Sequence, residues 1–183
     1  FVGALRDATR PPGAGDAAER NVISGNAGDG VHIAGYFSFG EHPALANVIA
    51  DLLPRTSRVA DVAGGRGILQ SALRERGFSD ITSWDRRRRT SYNRTGHRWG
   101  YFSVEIPDTY DAIVAMHPDE STDHCILFAG RHQIPAVICP CCVRPSARAF
   151  WDRATYDNWC AHLERLAQAA QLQVRWEQLP MNG

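Results

Sequence analysis

The chain has 183 residues, of which 44% are apolar and 22% are charged, and its 20 basic residues balance its 20 acidic residues. These values predict a soluble globular protein with one domain and a sizeable core. The sequence has no run of about 18 apolar residues, which excludes a membrane-spanning helix. Three of the five cysteines lie within residues 139–142. Such packing argues against a disulfide framework and predicts the cytoplasm or another reducing compartment.

The first part of the chain differs in composition from the rest. Residues 1–40 predict an irregular N-terminal arm, and residues 41–183 predict the domain itself. Turn-forming residues dominate 11–15 and 24–30, which offer little to bury. The stretch 35–40 carries three aromatic residues between glycines. These rings either fix the arm to the core, which we favour, or form a flap over a ligand pocket.

The domain opens with a predicted helix over residues 44–53, which has one apolar face and is ended by Pro54. The apolar run Val59–Ala63 then predicts a buried strand, and residues 68–77 predict a helix. A glycine-rich turn joins the two at Gly64, Gly65 and Gly67. Strand, glycine turn and helix together bring bare backbone close to a nucleotide-like ligand, because glycine has no Cβ to block the approach.

Three ligand motifs can be compared with this turn. The dinucleotide pattern G-x-G-x-x-G fails at Gln70, and the phosphate loop needs a lysine, which the sequence lacks. The pattern D-x-G-x-G-x-G fits from Asp61, with Ala63 in the place of its first glycine, followed by Gly65 and Gly67. This stretch resembles motif I of the class I S-adenosylmethionine (SAM) dependent methyltransferases. The alternative is an ordinary tight turn of an α/β domain.

A second predicted strand, residues 80–85, ends in an acid. In Rossmann-like folds an acid at this place accepts hydrogen bonds from the ribose hydroxyls of the ligand. The family usually places its adenine contacts near the end of the third strand, here about residues 102–105. The resemblance therefore implies a SAM site formed by Asp61, Ala63, Gly64, Gly65, Gly67, Asp85, Phe102 and Met116.

A basic run follows the ribose acid directly, at Arg86, Arg87, Arg88 and Arg89. Most charge runs are solvated loops. The functional alternative is a contact with phosphate backbones, with Tyr92, His97 and Trp99 available for stacking on bases. A site for the 2′-phosphate of NADP is a third possibility, which the failed dinucleotide pattern disfavours. The run lies where a nucleic-acid substrate of a methyltransferase would approach the cofactor.

A third strand is predicted over 99–104 and a fourth over 112–117, after which the chain reads His117-Pro-Asp-Glu120. Ligands of open parallel sheets bind beyond the carboxyl ends of the strands. His117 and Asp119 are therefore candidate catalytic residues, which would orient or deprotonate the methyl acceptor. The alternative is a polar turn between the fourth strand and a helix over 121–130.

The fifth predicted strand, residues 136–142, ends in a group of cysteines. The group consists of Cys139, Cys141 and Cys142. Buried structural cysteines are the interpretation that we favour. Zinc binding with His124, Cys125 and His132 is less favoured, because the spacing is not Cys-x-x-Cys, and we expect no metal. A nucleophilic cysteine, as in RNA 5-methylcytosine enzymes, would need a lowered pKa, for which Arg144 is the nearest cause.

Together with His-Pro-Asp-Glu, the Pro-Cys-Cys-Val passage resembles a methyltransferase-like subgroup and RNA methyltransferases with a Cys-Cys pair after strand five. The amino-methylating enzymes instead carry Asn/Asp-Pro-Pro-Tyr at strand four. A last helix is predicted over 151–171 and a sixth strand over 173–179. The sequence ends at Gly183 before the usual seventh strand of the family, so either this strand is missing or the sequence is truncated; the N-terminal arm or a partner would then cover the open sheet edge.

These features predict an α/β domain of the Rossmann-like class I methyltransferase fold. Its sheet is mostly parallel, helices cover both faces, and the last strand is absent. The function implied by the resemblance is SAM-dependent methyl transfer to RNA, either rRNA or tRNA. The alternative is a non-catalytic methyltransferase-like scaffold or assembly factor in a ribonucleoprotein complex. We expect no association with membranes, and a protein partner would dock at the arm and the open edge.

Overall fold

The computed structural model describes residues 22–23, 30–33, 41–88, 95–140, 155–177 and 179. Its helices are α1 (Glu41–Leu52), α2 (Ile68–Glu75), α3 (Thr122–His132) and α4 (Tyr156–Ala169), and a 3-10 turn at Asp119–Ser121 precedes α3. Its strands are β1 (Val22–Ile23), β2 (Gly30–Ile33), β3 (Val59–Val62), β4 (Ile81–Asp85), β5 (His97–Trp99), β6 (Ala112–Met116), β7 (Ala136–Cys139) and β8 (Gln173–Trp176).

Five parallel strands form the centre of the sheet, in the order β5-β4-β3-β6-β7. Every residue of β3, β6 and β7 is buried, as expected for parallel strands that are covered on both faces. The chain runs outward from β3 to β5 and then crosses back to β6 on the other side of β3. This is the doubly wound, Rossmann-like arrangement, and it confirms the predicted α/β fold.

Helices cover both faces of this sheet, as predicted. The alternation of side chains along β6 divides the core into two layers. Ala112, Val114 and Met116 pack into the layer under α1 and α2, whereas Ile113 and Ala115 pack into the layer under α3 and α4. Burial of these two layers is the main favourable contribution to the folding free energy.

The third strand of the parallel set lies earlier in the chain than the predicted 99–104. Strand β5 pairs His97–Trp99 with Ser83–Asp85 of β4, and the Gly100 N–H then donates to the Asp85 carbonyl at 2.9 Å. Beyond Gly100 the chain leaves the sheet, because Phe102 turns into the core and is almost fully buried. Of the aromatic residues that predicted this strand, Phe102 is thus a core anchor after a shorter strand, whereas Trp99 and Tyr101 are exposed.

The sheet continues beyond β7 through strands from both ends of the chain. Strand β2 pairs in parallel with β7 and with β8, and β1 pairs antiparallel to β2 and to β7. Two strands of the predicted N-terminal arm therefore join the sheet at the edge that the sequence left open. The remaining residues of 1–40 and the predicted boundary after residue 40 lie outside the described residues.

The helices in the described ranges are too short or too polar to cross a lipid bilayer. The longest of them, α4, has 14 residues and carries polar side chains on its outer face. The predicted start of this helix at 151 lies outside the described residues. Within them, the side-chain oxygen of Thr155 accepts a hydrogen bond from the Asn158 N–H at 3.2 Å, which caps the helix at its N-terminus.

Candidate functional site

A cleft opens at the carboxyl ends of β3, β4 and β6, beside the point where the strand order reverses. It is shallow, with a cavity volume of about 70 Å³. Its walls come from Ala63 after β3, residues 84–87 at the end of β4, residues 100–102 after β5 and residues 118–121 after β6. Open α/β sheets bind their ligands at this position, and of the predicted site residues the fold places Ala63, Asp85, Arg86, Arg87, Phe102 and Asp119 there.

A buried hydrogen bond supports the glycine turn at the base of the cleft. Asp61 is fully buried, and its Oδ2 accepts a hydrogen bond from Ser83 Oγ at 2.7 Å. Gly64 lies directly on this pair, where an added Cβ would overlap both side chains. Its N–H donates to the Trp84 carbonyl at 3.1 Å. Asp61 therefore shapes the turn from below and has no surface with which to contact a ligand directly.

The turn itself requires left-handed backbone. Gly65 and Gly67 have φ angles of 48° and 83°, and Ala63 has a φ angle of 56°. The motif position that usually holds glycine therefore has the conformation for which glycine is preferred, and Ala63 adopts it at a cost of about 1–2 kcal/mol. Strained backbone of this kind clusters at functional sites. The Gly67 N–H closes the turn by donating to the Gly64 carbonyl at 2.7 Å.

Asp85 lies across from this turn and is the best-bonded carboxylate of the cleft. Its side chain is 2% exposed. Oδ2 accepts the Gly65 N–H at 2.8 Å, and Oδ1 accepts the Arg87 N–H at 2.7 Å. Burial by itself would raise the pKa of Asp85, but the hydrogen bonds from Arg87 and Gly65 outweigh it and lower the pKa below its ordinary value. Asp85 is thus an anion that is oriented by the glycine turn.

Arg87 covers this carboxylate. Its Nε lies 3.1 Å from Oδ1 of Asp85 and its Nη2 lies 3.2 Å from Oδ2, which is a two-point pairing. The hydrogen bond and charge of Asp85, and more weakly the charge of Asp119, raise the pKa of the guanidinium. The Arg87 side chain is nevertheless 74% exposed. Because Asp85 is buried, Arg87 can leave it only where another group replaces its hydrogen bonds.

The segment after β6 brings one of the two predicted catalytic residues to the cleft. His117 and Asp119 have φ angles of 54° and 49°, and this strained turn directs Asp119 to the cleft wall. His117 is not part of that wall. Burial, and then the charge of His117, lower the pKa of His42 at the start of α1. The structure therefore groups Asp119 with Asp85 and Arg87, whereas His117 lies on the side of α1.

Phe102 and Met116, the two apolar residues predicted to contact the cofactor, lie in different parts of the structure. Phe102 lines the cleft and packs edge-on against Trp84, with ring centroids 6.0 Å apart. Trp84 is fixed in turn by its Nε1–H, which donates to the Tyr110 hydroxyl at 2.8 Å. Met116 instead packs into the core layer under α1 and α2, and it is not among the residues that line the cleft.

The basic run lies at the mouth of the cleft beside exposed aromatic rings. Arg86 lies over the Tyr101 ring at 5.9 Å, and Arg88 lies over the Trp99 ring at 5.6 Å. Arg89 lies outside the described residues. Tyr101 was missed in the sequence because it fell inside a predicted strand, although an aromatic residue two positions after Trp99 was a usable signal. Of the three residues predicted to stack on bases, Trp99 is exposed and His97 is half-buried, and Tyr92 lies outside the described residues.

The cysteines that the structure describes are buried free thiols, at Cys125, Cys139 and Cys160. Burial, and then the charge of Asp123, raise the pKa of Cys125, which makes it unsuited to act as a nucleophile. No group of His, Cys, Asp or Glu side chains in the described ranges could hold a metal ion. Cys141, Cys142 and Arg144 lie outside those ranges.

A scan against known protein families finds no match to this chain, and a search of curated proteins finds no similar sequence. The functional argument therefore depends on the fold and on the site. The cleft combines an oriented carboxylate, a glycine turn, an aromatic wall and a second acid in Asp119. This set is suited to bind a small polar ligand with hydroxyl groups and an aromatic ring.

The close packing on Gly64 gives the first prediction. Gly64→Ala should lower the free energy of unfolding by about 1–3 kcal/mol, because the new Cβ displaces the buried Asp61 and Ser83 side chains. Gly100→Ala is the matched control, since its Cβ would have ordinary contacts of 3.7 Å or more. Urea unfolding followed by circular dichroism measures both. Equal stability of the two variants would contradict the packing argument.

The pKa of Asp85 gives a second prediction. Because its folded pKa is lowered, the stability it contributes is present above its unfolded pKa of about 3.9 and is lost as the pH falls through the folded value. Asp85→Asn should therefore be less stable than wild type at neutral pH. The difference should shrink below about pH 4. Thermal unfolding across this range tests it, with the exposed Asp51→Asn as control, and a constant difference would refute it.

Proposed function

We propose that the protein is a SAM-dependent methyltransferase whose acceptor is RNA. The observation that carries the proposal is the placement of Asp85, a buried anionic carboxylate whose Oδ2 accepts the Gly65 N–H of a strand-to-helix glycine turn. An acid in this position of a Rossmann-like sheet accepts hydrogen bonds from ribose hydroxyls. The motif I resemblance of residues 61–67 makes SAM the ligand that fits best.

The residues of the cleft fit the parts of such a cofactor. Ala63 lines the cleft together with Asp85, and Gly65 holds that carboxylate through its N–H. Phe102 and Trp84 provide an aromatic wall on the same side of the cleft as Asp85, which suits a purine ring. When bound, SAM supplies an electrophilic methyl group on a sulfonium. No phosphate needs to be held, which agrees with the absence of a lysine and of a phosphate loop.

Asp119 is the residue that we assign to the acceptor. It lines the cleft opposite Arg87, and its carboxylate is suited to orient an acceptor N–H or O–H group and to remove its proton. His117 stands directly before Pro118 on the side of His42, where it would support this turn. Much of the rate of a methyl transfer comes from holding the reacting groups in line, and the strained turn of residues 117–119 is suited to that task.

RNA is proposed as the acceptor because of the charge and the aromatic residues at the mouth. Arg86 and Arg88 flank the cleft, and their guanidinium groups lie over exposed rings. Phosphate backbones are bound by such arginines, and unpaired bases stack on such rings. Both rRNA and tRNA offer unpaired bases, so both are the substrates to test.

A second candidate function is that of a non-catalytic scaffold in a ribonucleoprotein complex. It is favoured by the pairing of Arg87 with both oxygens of Asp85, because this pairing fills the bonding positions that a ribose would use. A scaffold of this kind would bind RNA through the basic mouth and would keep the cleft closed. Binding of the cofactor does not separate the two functions fully, whereas turnover does.

The turnover experiment uses SAM with a labelled methyl group and RNA from cells that lack the protein. The wild type should transfer label to RNA, and Asp119→Asn should lower kcat by about 100-fold or more through loss of the proton acceptor. Asp51→Asn, an exposed acid on α1, should keep full activity. Nuclease digestion and mass spectrometry of the product identify the methylated nucleoside.

Two results would overturn the catalytic proposal. Absence of methyl transfer by protein that binds both SAM and RNA would favour the scaffold function. Full activity of Asp119→Asn would remove Asp119 from the mechanism and would return His117 as the candidate base.

A further inference from the structure

We propose that Trp99 and Tyr101 form a stacking surface for the bases of an unpaired nucleic-acid strand. The surface comprises these two rings together with Arg86 and Arg88. This inference rests on the proposed function, since it names the form of the acceptor: a single-stranded segment that is led into the cleft. The surface and the cleft share Tyr101, which belongs to both.

The exposure of the two rings is the first observation. Trp99 is 67% exposed and Tyr101 is 50% exposed. In the described part of the chain, only Leu52 and Ile68 are comparably exposed among large apolar residues, and they lie on α1 and α2. Single exposed apolar residues are ordinary, whereas here two exposed aromatic residues lie two positions apart, Trp99 on the edge strand β5 and Tyr101 in the wall of the cleft.

The second observation is that the rings are already oriented. The Trp99 Nε1–H donates to the Arg86 carbonyl at 2.9 Å, and Arg86 Nη1 donates to the Tyr101 hydroxyl at 3.4 Å. A guanidinium lies over each ring. Because each ring is already held in place, its side chain loses less conformational entropy when a base stacks on it than a mobile ring would. The arginines add cation–π attraction and lie close enough to meet the phosphates of the same strand.

The third observation concerns charge. Two acids near this edge are already paired with other arginines: Asp85 with Arg87, and Asp108 with Arg98 at 2.7 Å. Neither of these acids is paired with Arg86 or Arg88, whose guanidinium groups lie over the two rings. Two guanidinium groups beside flat rings fit an anionic strand whose base faces are free. A duplex does not fit, because its base faces are stacked on one another and only its edges and backbone are accessible.

The test compares a fluorescein-labelled unstructured RNA with a hairpin duplex of the same composition by fluorescence anisotropy, without SAM. The wild type should bind the unstructured RNA more tightly. The double variant W99L/Y101L should lose about tenfold or more of that affinity and little of its affinity for the duplex. W99F/Y101F, which keeps the rings, should recover most of the loss. L52A/I68A, which removes the exposed apolar residues elsewhere, is the matched control.

A second measurement does not depend on the stability of the variants. RNA should quench the tryptophan fluorescence of the wild type, and Trp99→Phe should lose most of this quenching while it still binds RNA. Equal affinity for both RNAs, or an unchanged affinity of W99L/Y101L, would overturn the stacking surface and leave a purely electrostatic contact. The two proposals fail separately: RNA binding without methyl transfer contradicts only the proposed function, and methyl transfer without a loss in W99L/Y101L contradicts only the stacking surface.

Discussion

The buried hydrogen bond between Ser83 and Asp61 is the interaction on which the rest of the site depends. It joins the carboxyl ends of β3 and β4 from the inside, at 2.7 Å and without exposure to water. A buried carboxyl group such as that of Asp61 needs hydrogen-bond partners, because an unsatisfied buried polar group lowers the free energy of unfolding. Gly64 closes over the pair, and the turn above it then holds Gly65 against Asp85. The buried Asp61–Ser83 pair therefore supports the position of Gly65 and Asp85, although the pair itself is not accessible to a ligand.

The balance between Asp85 and Arg87 decides what the cleft can bind. The carboxylate is buried and anionic, whereas the guanidinium that covers it is mostly exposed. A ligand with two hydroxyl groups can replace the hydrogen bonds of Arg87, and the displaced side chain is hydrated again at the mouth of the cleft. A ligand without such groups cannot repay the loss. In the proposed function, this pairing would favour a ligand with adjacent hydroxyl groups, such as a ribose.

Much of the fold could be predicted from the sequence, because it depends on local patterns. The apolar runs at β3, β6 and β7 indicate buried parallel strands, and the glycine turn before α2 and the acid at the end of β4 mark the ligand edge. The position of β5 could not be predicted, since the burial of Phe102 is a tertiary effect that ends the strand early. A cover of the open edge by the N-terminal arm could be expected, but the strands β1 and β2 and their register with β7 and β8 could not, because such pairing connects distant parts of the chain and has no local pattern.

In the candidate site, too, some features could be predicted from the sequence and others are determined by packing. The motif requires glycine at positions 63, 65 and 67 but not at 64; the need for glycine at 64 comes from the Asp61 and Ser83 side chains beneath it and is visible only in three dimensions. The pairing of Arg87 with Asp85 and the place of His117 on the side of α1 depend on backbone direction after each strand. Tyr101 became a candidate only when its exposure beside Arg86 was known. Sequence patterns thus identify which residues meet at the carboxyl edge, and packing decides which of them face the cleft.

The most direct test of this account is calorimetric titration of the purified protein with S-adenosylhomocysteine, the demethylated form of the cofactor. The account predicts saturable binding by the wild type and by Asp51→Asn. Asp85→Asn should bind at least about tenfold more weakly, because hydrogen bonds to a charged group are worth about 1.5–3 kcal/mol. No binding by folded wild-type protein at millimolar ligand, or equal binding by Asp85→Asn, would contradict the assignment of this carboxylate as the group that recognises the ligand.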